Sequence, residues 1–198
     1  SIISIDYSSL EPRIILAAQG RSAPRDIYAD VCDKEFAGKL TRLQAKAVTI
    51  SLLYGAGEAT IAKVTGLTGE ELRAAIRGIM AFFAIDSFSS KLLEEIKLTG
   101  KIKNFFGRPL EVVDRRKLIN AYAQSSAVDA AMLGFAGACD YIKSNGFKID
   151  PIFDIHDALL LDVHPGYLGY IDSISKQCGR IVGLNDEFPV RSEEICYV

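Results

Sequence analysis

The sequence predicts an α+β fold: a small antiparallel sheet with a helical lobe inserted into it. Three observations predict it. Residues 151–163, PIFDIHDALLLDV, hold two apolar runs, Pro151–Ile155 and Ala158–Val163, flanking a two-residue corner at His156-Asp157. Both runs are rich in Ile, Leu, Val and Phe and read as buried strands of one hairpin. Ser1–Asp6 is the other apolar strand that ends in an Asp, and nearly everything between the two reads as helix. Pairing of the strands would bring Asp6 and Asp157 to one edge of the sheet. Two carboxylates there repel unless a cation sits between them, and oxygen ligands of that kind suit Mg²⁺.

Taken in order, residues 1–6 read as strand. Ser8 offers an N-cap with Glu11 at capping-box spacing and Pro12 early in a helix that runs to Gly20. Asp6 therefore lies at a strand-to-helix junction. Residues 21–41 are polar, with a short helix at Asp26–Cys32. Residues 42–54, RLQAKAVTISLLY, read as helix, and Arg42, Lys46, Ile50 and Tyr54 recur every fourth residue as one drifting stripe. The helix dipole places cations at a C-terminus, yet Arg42 and Lys46 stand at the N-terminal end. A bound anion such as phosphate resolves that conflict. The alternative is an amphipathic surface helix with the Tyr packed in the core.

Gly55-Ala56-Gly57 ends this helix. Glu58–Val64 reads as a short helix, Gly66 to Gly69 as a turn, and Glu70–Ile85 as a long helix. Asp86-Ser87 interrupts it before Phe88–Leu98 resumes, and Gly100 stops it. KIKNFFGRPLEVV, residues 101–113, alternates around Gly107 and reads as a hairpin. Asp114 to Asn145 is Ala-rich helix closed by Gly146. After the 151–163 hairpin come a helix at Gly166–Ile181 and an edge strand in the tail Glu187–Val198. The end strands and the hairpin make the sheet, and the middle helices make the inserted lobe.

The 198 residues suit one large domain or two lobes, and 49% hydrophobic with 24% charged residues is an ordinary globular balance. No run is apolar enough to span a bilayer and no leader is visible, so no membrane partner is expected. Cys32, Cys139, Cys178 and Cys196 are scattered, which argues against a zinc site or disulfide framework and fits a reducing, intracellular setting. A net charge of −2 does not by itself indicate nucleic-acid binding. The cations are clustered, however: Lys34, Lys39, Arg42 and Lys46; then Lys91, Lys97, Lys101, Lys103 and Arg108; then Arg115, Arg116 and Lys117. They are solvated helix faces or, if they converge, the lining of a basic channel.

Together the motifs resemble the polymerase domain of family A DNA polymerases. Asp6-Tyr7-Ser8-Ser9-Leu10-Glu11-Pro12-Arg13 is similar to the first family motif, Asp-Tyr-Ser-x-x-Glu-x-Arg. Arg42-x-x-x-Lys46-x-x-x-Ile50-x-x-x-Tyr54-Gly55 resembles the second, and Ile155-His156-Asp157 the core of the third. Gly107-Arg108 and the segment Asn120 to Asp129 resemble two further signatures. Five motifs in register span nearly the whole chain. The resemblance implies a palm portion at residues 1–20, helical fingers at 21–100, and the rest of the palm at 101–198. The thumb and exonuclease regions, which precede the first motif in the family, would be absent here or supplied by a separate chain.

The resemblance also implies roles. Asp6 and Asp157, with the Tyr7 carbonyl, would hold two Mg²⁺ ions for transfer of a deoxynucleoside monophosphate to a primer 3′-end. Arg42 and Lys46 would grip the dNTP β- and γ-phosphates. Tyr54 would pack near the templating base, with Gly55 letting the helix end swing. Glu11 would occupy the space a 2′-hydroxyl needs. Arg13, Asn120, Gln124 and His156 would touch the primer terminus or minor groove, and Arg108 the template backbone. Primer–template DNA and dNTPs are the implied partners, in the bacterial cytoplasm at the nucleoid or in host cytoplasm for a phage protein.

Three positions depart from the family pattern. Ile50 replaces an aromatic near the incoming sugar, Ala158 replaces the Glu that follows the third-motif Asp, and Tyr28 replaces a His that helps hold the triphosphate. They imply altered efficiency or fidelity. Without a thumb, DNA binding should be weak, because phosphate contacts supply most of the affinity. Two alternatives remain: a single-subunit RNA polymerase, against which Glu11 speaks, and a non-catalytic polymerase-like module that binds DNA or protein, which Ala158 and Ile50 favour.

Overall fold

The computed structural model describes residues 1–36, 39–111, 114 and 117–195. The basic pair Arg115-Arg116 and Cys196 lie outside them. Two compact units form, one from Ser1–Arg13 with Ser126–Val198 and the other from Ile14–Ser125. Their boundaries fall inside two helices, α1 (Leu10–Ala17) and α7 (Leu118–Ser144).

The first unit is built on a four-stranded antiparallel sheet. Its strands are β1 (Ile2–Tyr7), β4 (Ile149–Ile155), β5 (Ala158–Val163) and β6 (Val190–Ile195), in the order β4-β5-β1-β6. Strand alternation sorts the residues. Ile3, Ile5, Tyr7, Leu159, Leu161 and Val163 are buried. The Tyr7 ring lies 5.7 Å from Phe135 of α7, and its hydroxyl donates to the Cys178 carbonyl of α8 (Ile171–Gly179). Ile2, Ser4 and Asp6 point to the opposite face, directly across from Asp162, Leu160 and Ala158.

The residues of that face are half-buried or exposed, and β4 corrects the reading of both hairpin strands as buried. β5 alternates as expected, but in β4 only Ile149 is buried. β4 is the sheet edge, and Ile152, Phe153 and Ile155 stand 45–49% exposed. Apolar composition cannot tell an edge strand from a central one. The helix expected at Gly166–Ile181 is divided as well. Pro165–Tyr170 is a 3₁₀ segment, begun by His164 Nδ1 accepting from the Gly166 N–H, and α8 follows. Pro165, Gly166 and Gly169 are poor α-formers, which accounts for the break.

The second unit is helical: α2 (Ile27–Phe36), α3 (Arg42–Leu53), α4 (Glu58–Thr65), α5 (Gly69–Phe82) and α6 (Ile85–Thr99). A short hairpin of β2 (Ile102–Lys103) and β3 (Pro109–Leu110) follows. α3 buries Ala45, Val48, Thr49 and Leu53 and packs on α2, α4 and α5. The break between α5 and α6 falls at Phe83-Ala84 rather than Asp86-Ser87. Ala84 takes the left-handed conformation (φ 47°) and Phe83 is fully buried. The Phe82 and Phe83 carbonyls accept from Arg21 (2.7 Å) and Gln19 (2.9 Å). Those tertiary bonds satisfy the end of α5 and are invisible in the local sequence. Likewise α1 starts at Leu10, after Ser9 at φ 58°, and α7 at Leu118. No helix among the described residues is long and apolar enough to cross a membrane.

Candidate active site

In the first unit, β1 and β5 pair so that Asp6 stands opposite Ala158. The Tyr7 N–H donates to the Asp157 carbonyl at 3.2 Å. The backbones of Asp6 and Asp157 are therefore neighbours at one end of the sheet, Asp6 exposed and Asp157 half-buried. Asp157 follows His156, whose backbone is left-handed (φ 56°), a conformation that costs a non-glycine residue about 1–2 kcal/mol. The corner is thus held in a strained turn by the ladder on either side.

Tyr7 anchors the strand end from below. Burial, aided by the nearby Cys178, raises its phenol far above the ordinary value, so it remains a neutral donor. Gly134 of α7 makes room for it: a Cβ there would meet the Tyr7 hydroxyl and the Cys178 carbonyl. Arg191 of β6 is the other cross-strand neighbour of Asp6, a cation that the motif reading missed. Glu11 is half-buried in the first turn of α1. Arg13 is 4% exposed and its Nε donates to the Ser8 carbonyl at 2.9 Å, so it braces the strand-to-helix junction.

The donors at this corner are two carboxylates and backbone carbonyls. Hard oxygen donors fit Mg²⁺, which is commonly held by one or two carboxylates with water and substrate phosphate completing the shell. No group of three or more His, Cys, Asp or Glu that could close a cage by itself occurs among the described residues.

In the second unit, Thr41 caps α3 in a full capping box. Its hydroxyl accepts from the Gln44 N–H, and the Gln44 side chain accepts from the Thr41 N–H. Arg42 is then the first residue of the helix. Arg42 and Lys46 are exposed, Ile50 is intermediate, and Tyr54, just past the helix end, is 43% exposed. The stripe is a surface feature and its Tyr is not a core residue. Gly55 follows at φ 74°.

Arg42 Nε donates to Asp26 Oδ2 at 2.7 Å, and its guanidinium lies over the Tyr28 ring, 5.5 Å from the centroid. Burial pulls the Asp26 carboxyl up. The hydrogen bond from Arg42, those from the Ala29 and Tyr28 N–H groups and the Arg42 charge outweigh it and hold the carboxyl below its usual range. Tyr28 itself is 3% exposed. Asp26 is absent from the motif reading and enters the sequence reading only as the first residue of a short helix expected at Asp26–Cys32; α2 runs from Ile27 to Phe36, which leaves Asp26 just before it.

Also in this unit, Asn104 is 4% exposed and ties the β2–β3 turn to α7. Its Oδ1 accepts from the Phe106 and Arg108 N–H groups (3.1 and 2.9 Å) and its Nδ2 donates to Ser125 Oγ (3.0 Å). Arg108 Nη2 reaches the Ser125 carbonyl at 3.1 Å. Arg108 is thus gathered beside the α7 turn that carries Gln124. Asn120, one helical turn earlier, has a buried Nδ2 with no hydrogen-bond partner among the described residues. An unmet buried donor is costly, and an incoming acceptor would relieve it.

Comparison with known proteins identifies the family. The family described as DNA polymerase family A matches residues 1–181. The DNA polymerase of Mycobacterium phage D29 is 31% identical over 131 residues, covering 60% of this chain and 21% of the phage protein. DNA polymerase I of Lactococcus lactis is 23% identical, with 89% of this chain and 23% of the relative covered. The solved polymerase domain of Pol1 from M. smegmatis, in complex with DNA primer–template and dNTP, superposes with a TM-score of 0.76 at 20% identity. It covers 96% of this chain and 38% of that one. This chain therefore spans less than a quarter of the length of these curated relatives. With the match running from the first strand through α8, the chain belongs to DNA polymerase family A.

Proposed function

We propose that the chain is the palm and fingers core of a template-directed DNA polymerase. It adds deoxynucleoside monophosphates from dNTPs to a primer 3′-end. The observation that carries this is the β1–β5 pairing, which makes Asp6 and Asp157 neighbours at an exposed sheet end. Asp6, Asp157 and the Tyr7 carbonyl would hold two Mg²⁺ ions. Bound there, the metal supplies acidification of the primer hydroxyl and neutralisation of the pyrophosphate that leaves. The 3′-oxygen attacks the α-phosphorus, and the bond to the bridging oxygen breaks.

The remaining residues bind and orient. Arg42 and Lys46 take the β- and γ-phosphates. Tyr54 and Gly55 form the helix end next to the templating base, with Ile50 near the sugar. Glu11 excludes a 2′-hydroxyl. Asn120, Gln124 and His156 meet the primer end or minor groove, and Arg108 the template backbone. The Asn120 Nδ2, which has no hydrogen-bond partner among the described residues, supports that role. Arg13 acts on the primer through the Ser8 junction it braces, and Tyr28 on the triphosphate through Arg42.

The test is primer extension with Mg²⁺ and dNTPs, native chain against Asp157→Asn, with and without the remaining polymerase regions supplied in trans. Extension that the substitution lowers at least about a hundredfold supports the reading. Extension by neither protein, with the other regions present, would sink it. The outcome would then favour a non-catalytic module, the reading that Ala158 suggests. Equal use of rNTPs and dNTPs would instead favour an RNA polymerase and refute the role given to Glu11.

A further inference from the structure

The ion pair between Asp26 and Arg42 has no obvious value as a surface staple. Its side chains are 41% and 45% exposed, and exposed pairs add little to stability. Its geometry is more informative. Asp26 Oδ1 accepts from the Tyr28 and Ala29 N–H groups, each at 3.1 Å, so the carboxylate is fixed at the start of α2. Among the described residues, Oδ2 then takes only the Nε of Arg42. Tyr28, buried beneath, offers its ring face to the same guanidinium. Arg42 is thus gripped along one edge and one face. Its Nη1 and Nη2 donate to nothing among the described residues, and together they form the fork that matches a phosphate bidentately. Lys46, one turn on, forms no ion pair among the described residues, so the same helix carries one held cation and one loose one.

We propose that Asp26 is a positioning residue. It works with the Tyr28 ring to hold the Arg42 guanidinium so that its two terminal nitrogens face an incoming polyphosphate. This rests on the assignment of Arg42 to dNTP binding made above. A long, flexible Arg loses rotamer freedom when it binds, and here much of that cost is met before the ligand arrives. The opposite effect is also physically possible: a carboxylate beside a cation could compete with phosphate and weaken binding. The two accounts predict changes of opposite sign.

The experiment is equilibrium titration of the protein with dTTP and with dTMP in Mg²⁺. The variants are Asp26→Asn, Asp26→Glu, Arg42→Ala, Lys46→Ala and the doubles of Asp26→Asn with each of the last two. Asn retains the cap on α2 and removes the charge. The expected result is a dTTP Kd about tenfold higher in Asp26→Asn. The dTMP Kd and the melting temperature should change little, and Asp26→Glu should recover part of the loss. The substitution should add nothing once Arg42 is Ala and should add fully to Lys46→Ala. An unchanged or tighter dTTP Kd in Asp26→Asn, alongside a loss in Arg42→Ala, overturns this inference and leaves the polymerase reading standing. So does an Asp26→Asn effect that persists in the Arg42→Ala background. Absence of Mg²⁺-dependent dTTP binding in the native protein, or no loss in Arg42→Ala, overturns the assigned role of Arg42 as well.

Discussion

Gly134→Ala should be among the most damaging single-methyl substitutions in the first unit. In an exposed helix this exchange is favourable by about 1 kcal/mol, because Ala orders more cheaply than Gly. Here the new Cβ would meet the Tyr7 hydroxyl and the Cys178 carbonyl, the two partners of a buried hydrogen bond, and would lie 3.1 Å from Tyr7 Cζ. One neighbour is backbone and the other a ring packed on Phe135, so neither yields easily. Overpacking costs about 1–3 kcal/mol, and separating the hydrogen-bonded pair about 1–3 more. After the helix gain, a net loss of about 3 kcal/mol remains. The chain contains no Trp, so urea unfolding is followed by far-UV circular dichroism and Tyr fluorescence. At an m-value of about 2–3 kcal/mol/M the midpoint should fall by about 1 M or more. Tyr7→Phe removes the oxygen that the methyl strikes, so the double variant should lose less than the sum of the singles. A Gly134→Ala midpoint at or above the native one would refute the account of how Tyr7 is seated.

Other outcomes follow from single features. His156→Gly removes the left-handed strain at the hairpin corner. It should raise the melting temperature by about 2–4 °C, and primer extension should fall because the His side chain is lost. Asn104→Ala leaves two turn N–H groups and the Ser125 hydroxyl without their partner. It should cost about 2–3 kcal/mol, a drop of roughly 5–10 °C by calorimetry. Asp26 has a lowered carboxyl pKa in the folded chain, so its stabilisation is complete above the unfolded value near 4 and is lost as pH falls through the native one. The stability gap between the native chain and Asp26→Asn, under about 1 kcal/mol for so exposed a pair, should be open at pH 7 and closed at pH 2.

The parts of the fold legible in the sequence were those that local pattern dictates. The apolar strand 1–6, the 151–163 hairpin and the α3 stripe follow from period and punctuation, and the neighbouring Asp pair follows from pairing the two strands that end in Asp. Long-range hydrogen bonds hid the rest. Nothing near Phe83 announces that Gln19 and Arg21 will satisfy the end of α5. Nothing in Asp26 announces that its second oxygen will seek Arg42, sixteen residues on. The exposure of β4 was misread because a strand's composition reports its propensity, while its place in the sheet order decides its burial.

That misread strand raises a question of solubility. An edge bearing Ile152, Phe153 and Ile155 is the kind of surface on which chains stack into aggregates. Three features work against it. Pro151 has no N–H to offer a newcomer. The register shift between Pro151 and Phe153 breaks the even spacing of the ladder. Asp150 and Asp154 add charge to an approaching copy. Replacing Pro151 and Asp154 with Val and Thr would leave the fold its pairing with β5 and turn this rim into a template for fibre growth.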